Sequence, residues 1–330
     1  MGAGLSNPSW HGTLPLCDRL MNVGGRELVV VDGPRQPHAT GAAITAILVL
    51  AGIVGLTFVA RAPTQEPNQS QTIPYAETEE RPFSLAPFDR VMRDPELVTT
   101  DGLVHYAGLK QRSQDLDAFL EQVKAISPHS NIASFSSENE ALAYWLNAYN
   151  AWMLRAVLDA YPIDSVKEIE PEVFGAKGRI CGGEDLSLNE IEHEIVRKEF
   201  LDPRAHFALN CASMGCPWIP QEAFDPARLE QQLDREARRF FKDPDHLIVD
   251  VPAKTVFLSP ILDWYQEDFL KWLEHTDGAE QSHILQYVRL YAPEDIAQKI
   301  DEQFDIVWQD YDWALNDAGA SPLRVRAQTG

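Results

Sequence analysis

A chain of 330 residues, 45% of them hydrophobic and 24% charged, has the apolar material for one or two packed domains and is not a disordered acidic protein. Its formal net charge of −22 repels phosphate backbones and anionic headgroups, which excludes nucleic acid and an electrostatic membrane contact. Small-molecule or peptide substrates and cationic partners remain.

Residues 1–40 contain no long apolar run, whereas Gly41 to Ala60 holds twenty residues without a charge, the length a helix needs to cross a bilayer. The run is too long and too far from the start for a cleaved signal peptide, so an uncleaved signal anchor is expected at 41–60. A buried core helix is disfavoured, because the run has no polar face and lies between Pro37 and Pro63. Arg19, Arg26 and Arg35 precede the span and Arg61 succeeds it, which favours an N-terminus in the cytoplasm and a globular part outside it, periplasmic in a bacterium. The first 60 residues carry three arginines and three acidic residues, so the net negative charge belongs entirely to residues 61–330.

Residues 61–95, rich in Pro, Gln, Thr and Glu, read as a linker. The globular pattern runs from Glu96 to about residue 317. A helix is expected from Ser113, with Leu116, Phe119, Leu120, Val123 and Ile126 on one face until Pro128. Ser137 and Glu140 have capping-box spacing and open a helix with the stripe Leu142, Trp145, Tyr149, Trp152 and Ala156, which Tyr161-Pro162 closes. The stretch to Gly183 reads as irregular. Ser187 and Glu190 open a second capped helix that ends at Asp202-Pro203, and Ala205 to Asn210 reads as a strand. Asp225-Pro226 starts another helix, and Leu247 to Val251 with Thr255 to Ser259 reads as a hairpin. Asp263 to Leu273 and His283 to Tyr291 are helical in pattern, Tyr311-Asp312-Trp313 closes it, and residues 318–330 form a flexible tail. The expected fold class is α+β: one helix-rich globular domain with a small mixed or antiparallel sheet, preceded by one transmembrane helix.

The stretch from His206 to Pro217 brings a thiol, a hydroxyl and a second thiol into one short turn. With a strand ending near Asn210, Cys211 would stand at a small-residue turn whose amides at Ala212, Ser213 and Gly215 are open to an oxyanion. A thiolate attacks acyl carbons well when a base or cation lowers its pKa, so His193 or His206 is the expected partner. Asn147, Asn150 and Glu192 are candidates to orient that base. Glu138, Tyr149, Ser213 and Arg197 are candidates to bind substrate. The bland alternative is that Cys211 is inert core and the asparagines tie loops to their helix.

Two other chemistries compete with this one. Cys211 and Cys216 are spaced for a disulfide or dithiol, and because Cys17 would lie across the membrane, the three thiols on the far side cannot all pair. Zinc on Cys181, Cys211, Cys216 and a histidine lacks the close paired spacings of common zinc sites, so neither metal nor cofactor is expected. The leading expectation is thiol-dependent acyl hydrolysis or transfer. A non-catalytic scaffold and a thiol-redox protein are the alternatives.

Taken together, Glu140 to Ala151 (EALAYWLNAYNA), Leu186 to His193 (LSLNEIEH) with Arg197, and His206 to Pro217 resemble the bacterial and plant family named domain of unknown function 547. Asp263 to Phe269 (DWYQEDF) is similar to a later motif of that family, whereas Cys181 departs from its pattern. The resemblance implies one domain over most of residues 96–317 and assigns no activity.

Overall fold

The computed structural model of the chain describes residues 83–277 and 282–319. The expected segments 1–40 and 41–60, linker residues 61–82 and tail residues 320–330 lie outside the described residues. Among the described residues, no helix is long and apolar enough to cross a membrane.

The expected linker ends sooner than residue 95. Ala86–Arg93 forms helix α1, which buries Phe88, Val91 and Met92. Pro87 sits in its first turn, where a missing N–H is no loss, so a proline counted as a linker signal is here a helix start. Helix α2 (Tyr106–Gln111) and α3 (Gln114–Ala125) come next, and α3 buries Leu116, Phe119, Leu120 and Val123 as their spacing predicts. Helix α4 (Glu138–Ala160) opens on the expected capping box: the Glu140 N–H donates to Ser137 Oγ at 3.2 Å and the Ser137 N–H donates to the Glu140 carboxylate at 3.1 Å. Every side chain from Leu142 to Leu154 is buried, so α4 is enclosed all round, as a helix with more than one apolar face must be.

After α5 (Glu172–Gly175), the stretch that reads as irregular contains an antiparallel hairpin of β1 (Arg179–Cys181) and β2 (Glu184–Leu186). Its turn is Gly182-Gly183, with φ of +57° and +84°, a conformation that glycine adopts without a steric cost. The expected helix after Ser187 forms, but Glu190–Phe200 is wound as an eleven-residue π-type helix and not as an α-helix. Such turns are rare and concentrate at functional sites.

The strand expected over Ala205 to Asn210 is absent. Asp202 accepts the Arg204 N–H at 2.9 Å and Pro203 presets the next φ, so Pro203–Phe207 winds into a 3-10 turn. The backbone beyond it bonds to the side chain of Asn150 and to no neighbouring strand.

A 3-10 turn at Pro226–Arg228 leads into α6 (Leu229–Phe240). β3 (Leu247–Asp250) and β4 (Thr255–Leu258) make the expected antiparallel hairpin, and β5 (Asp305–Trp308) adds to β4 in parallel, which makes this sheet mixed. The expected helical stretch from Asp263 is divided at Tyr265 into α7 (Ile261–Trp264) and α8 (Gln266–Asp277). Helices α9 (Ile284–Tyr291) and α10 (Glu294–Ala297) precede β5. The described residues form a helix-rich α+β fold with two small sheets. Their buried apolar side chains form two clusters. One is built round α4, and the other joins Phe207, Phe240 and Phe241 to α8, α9 and the mixed sheet.

Candidate active site

Cys211 stands in a turn fixed by the C-terminal segment. The Asn316 N–H donates to the Ala212 carbonyl at 3.0 Å, the Met214 N–H to Ala314 and the Gly215 N–H to Asp312, both at 2.8 Å. Gly215 is required for this approach, since a Cβ there would lie 2.9 Å from the Asp312 nitrogen. Ala212 takes φ of +63°, a left-handed conformation that a non-glycine residue holds only when its surroundings impose it. Asn210 supplies part of that constraint, accepting the Ala212 N–H at 2.9 Å and donating to the Pro217 carbonyl at 2.7 Å.

Tying down the turn uses up two of its amides. The expectation of open amides fails at Ala212 and Gly215, which Asn210 and Asp312 take, while the Ser213 N–H favours the charged form of the Cys211 sulfur.

The sulfur itself is half-buried and held by hydroxyls. Cys211 Sγ lies 3.1 Å from both Ser213 Oγ and Tyr311 Oη, which are 2.9 Å from each other. Cys216 Sγ accepts the Cys211 N–H at 2.8 Å, and both cysteines are free thiols, as is the buried Cys181. Burial pushes the Cys211 thiol up, but hydrogen bonds from Cys216, Ser213 and Tyr311 outweigh it and leave the group below its ordinary value. The same burial, together with the neighbouring Cys211, pushes Cys216 well above it. The expected imidazole partner is therefore corrected: neither His193 nor His206 hydrogen-bonds to the sulfur, and hydroxyl and thiol donors stabilise its charge instead.

Both histidines nevertheless stand on the same cleft, each oriented by a charged neighbour. Arg197 projects from the π-type helix and donates from Nη1 to His193 Nδ1 at 3.0 Å. A guanidinium only donates, so neutral His193 keeps its proton on Nε2. Burial holds the His193 pKa below its usual value, which keeps the ring neutral at pH 7. His206 has the opposite arrangement. Its Nε2 lies 2.8 Å from Asp268 Oδ2, and a carboxylate only accepts, so Nδ1 of the neutral ring is left as the base. Asp268 also receives Arg197 through Nε at 2.6 Å and Nη2 at 3.1 Å, so one carboxylate orients both rings, one of them through the arginine. His206 stacks on Tyr265 at a centroid distance of 4.1 Å.

Glu192 lies beside His193, with Oε1 3.8 Å from His193 Nδ1. It accepts Tyr265 Oη at 2.7 Å and Tyr149 Oη at 3.1 Å. Burial raises its pKa, but His193, Tyr265, His206 and Tyr149 more than compensate, so the carboxyl stays below its usual value and is ionised at neutral pH. Tyr149, a candidate substrate-binding residue, lines the cleft with its hydroxyl committed to Glu192.

The cleft is about 290 Å³ in volume and opens where the two apolar clusters meet, with Leu209 of one and Ile261 of the other on its walls. Cys211, Cys216, Glu192, His193 and His206 all line it. Several other candidates do not. Ser213 supports Cys211 from behind, and Arg197 lies over the Tyr265 ring at 4.9 Å. Glu138 is exposed at the start of α4. Asn147 exchanges hydrogen bonds with the Phe224 N–H and carbonyl, both at 2.9 Å, and Asn150 bonds the Ala208 carbonyl and the Asn210 N–H, both at 2.9 Å. The asparagines expected to orient a base instead hold backbone. Asn147 anchors the entry to α6, and Asn150 anchors the approach to Cys211.

Tyr311, Tyr265 and Asp268 do not figure among the residues singled out from the sequence. The last two lie inside the Asp263 to Phe269 motif and were findable there, while Tyr311 shows only as the end of an apolar pattern. Among the described residues, no cluster of three or more His, Cys, Asp or Glu side chains is arranged to hold a metal ion.

No curated protein and no solved structure matches the chain. Residues 132–241 match the model of a family described as "Protein of unknown function, DUF547". The matched stretch contains Glu192, His193, His206 and Cys211, but neither Asp268 nor Tyr311. Over those residues the chain carries a domain of the DUF547 family.

Proposed function

We propose that this domain is a thiol-dependent acyl hydrolase or transferase, held at a membrane by residues 41–60 with its globular part outside the cytoplasm. One observation carries the catalytic reading: a half-buried thiol, bonded to two hydroxyls, lies on the wall of a cleft that two imidazoles of opposite tautomer also line. In this mechanism the Cys211 sulfur, its charge stabilised by Ser213 and Tyr311, attacks the acyl carbon and forms a C–S bond, while the thiol proton is relayed through water in the cleft to His206 Nδ1. With the Ala212 and Gly215 amides occupied, the carbonyl oxygen that gains charge is stabilised by the Nε2–H of His193. Collapse breaks the bond to the leaving group, which takes the proton from His206; water or another nucleophile then gives up a proton as it attacks the thioester carbon, the C–S bond breaks, the acyl product leaves and Cys211 returns to its starting state.

The test is to incubate the full chain with a panel of activated esters and thioesters, quench in acid and map the mass gain. The expected result is one acyl group on Cys211, together with alkylation of Cys211 well below the pH at which an ordinary thiol reacts. Labelling of Cys211 only after unfolding would reject the catalytic reading and leave a scaffold. A redox reading has one observation in its favour, the Cys211 N–H on Cys216 Sγ at 2.8 Å. An intact mass two hydrogens short in the absence of reductant is the result that favours it.

The anchor is supported by the uncharged run and the arginines before it. The full chain is expected to stay in the membrane pellet through alkaline carbonate washing, and a chain lacking residues 41–60 to leave it. Release of the full chain would overturn the anchor.

A further inference from the structure

The permanent charges on the cleft walls have one sign. Among the described residues that line it, Glu170 and Glu192 are carboxylates and there is no lysine or arginine. Glu192 has both oxygens held by tyrosine hydroxyls, which fixes its charge in place. Arg197, beyond the Tyr265 ring, has its guanidinium engaged by Asp268.

The mouth is aromatic. Trp264 is 42% exposed, and its ring lies 5.0 Å from that of Tyr311, which is 4.5 Å from that of Trp313. Indole faces attract cations, and this rim already holds one: Lys167, which is not on the cleft wall, sets its ammonium 5.1 Å from the Trp313 centroid. The cavity, about 290 Å³, is at the lower limit of the roughly 300–1,000 Å³ usual for small-molecule sites, so a ligand filling it cannot stay far from either carboxylate.

Resting on the acyl-transfer reading of Cys211, we infer that the cleft selects small acyl compounds bearing a positive charge, an ammonium or guanidinium close to the scissile bond, and rejects carboxylates and phosphates of similar size. The two wall carboxylates attract the cation, the exposed Trp264 indole receives it, and among the described wall residues no lysine or arginine is present to pair with an anion.

The test separates charge selection from acyl chemistry by using three methanethiosulfonates that differ only at the far end: trimethylammonium, hydroxyl and sulfonate. With each, the Cys211 thiolate displaces methanesulfinate and forms a mixed disulfide. The full chain is treated with each reagent, modification of Cys211 is tracked by peptide mapping, and each rate is divided by that for mercaptoethanol at the same pH. At low salt the normalised rate is expected to be at least about tenfold higher for the cation than for the anion, with the neutral reagent between them and the preference shrinking in 1 M salt. Glu170→Gln and Glu192→Gln should each reduce the ratio several-fold. A ratio near one overturns the inference. So does a ratio that survives both substitutions, because the net surface charge would then be doing the selecting. If the preference holds but no ester or thioester acylates Cys211, the acyl reading fails alone. If acylation occurs without preference, the charge inference fails alone.

Discussion

Replacing Cys211 with serine is expected to abolish acyl turnover, a fall of roughly 10⁴-fold or more, while leaving the fold intact. Serine preserves the half-buried volume and can still bond Ser213 and Tyr311, so the loss isolates the nucleophile. Tyr311→Phe serves as the graded companion. Its hydroxyl lies 3.1 Å from the sulfur and must be the donor once the thiol is ionised, so removing it destabilises the thiolate and raises its pKa. A hydrogen bond to a charged group is worth about 1.5–3 kcal/mol, and one pKa unit is about 1.4 kcal/mol, so the alkylation midpoint should move up by about one to two units. At pH 7 labelling would then slow by roughly fivefold to fiftyfold, since Cys211 starts from a pKa of about 7. Turnover that persists in the serine variant removes Cys211 from the mechanism. An unmoved midpoint in the phenylalanine variant removes the hydroxyls as the source of activation.

How far the site was legible before the fold was known depended on the range of the interactions. The capping box of Ser137 and Glu140 and the apolar face of α3 are local, so spacing alone finds them. The apparent strand at 205–210 misleads for a physical reason. Leu209 is apolar because it packs in the cluster round α4, and Phe207 because it packs in the other cluster, so their alternation reflects two cores and not the two faces of a sheet. The winding of Glu190–Phe200 leaves no trace in its composition, which suits an α-helix equally well. Cys211, Glu192 and the two histidines announce themselves by chemical type. The groups that tune them come from far along the chain, Tyr311 one hundred residues from Cys211 and Asp268 sixty-two from His206. No periodicity reports such distances. Asn147 and Asn150 were visible as misfits in a helix, but only the backbone they hold shows what they are for.

Asp268→Asn is expected to have the largest effect on stability and to lower turnover as well. The carboxylate accepts two hydrogen bonds from Arg197 and one from His206, and its side chain is only 23% exposed. An amide of the same shape presents donors where only donors face it and leaves the guanidinium without its counter-charge. Removing one member of a well-buried pair costs about 3–5 kcal/mol; with both partners here about one quarter exposed, about 2–3 kcal/mol is expected at pH 7. The pH dependence comes from the direction of the shift. Burial raises the Asp268 carboxyl, but His206 and Arg197 hold it far below the usual carboxylate range. A depressed folded-state pKa contributes stability that is fully present above the unfolded value of about 3.9 and is lost as pH falls through the folded value. Urea titrations should therefore show the wild-type chain clearly more stable than the asparagine variant at pH 7, with the gap narrowing below pH 4. Equal midpoints at pH 7, or a gap that widens in acid, would show that the carboxylate does not tie α8 to the Glu190–Phe200 helix and the Pro203–Phe207 turn. The same change frees His206 to take the other tautomer and loosens Arg197, which sets that of His193. Turnover should therefore fall by roughly 10²- to 10⁴-fold while Cys211 still alkylates normally, because the sulfur is held by Tyr311 and Ser213 and not by either imidazole.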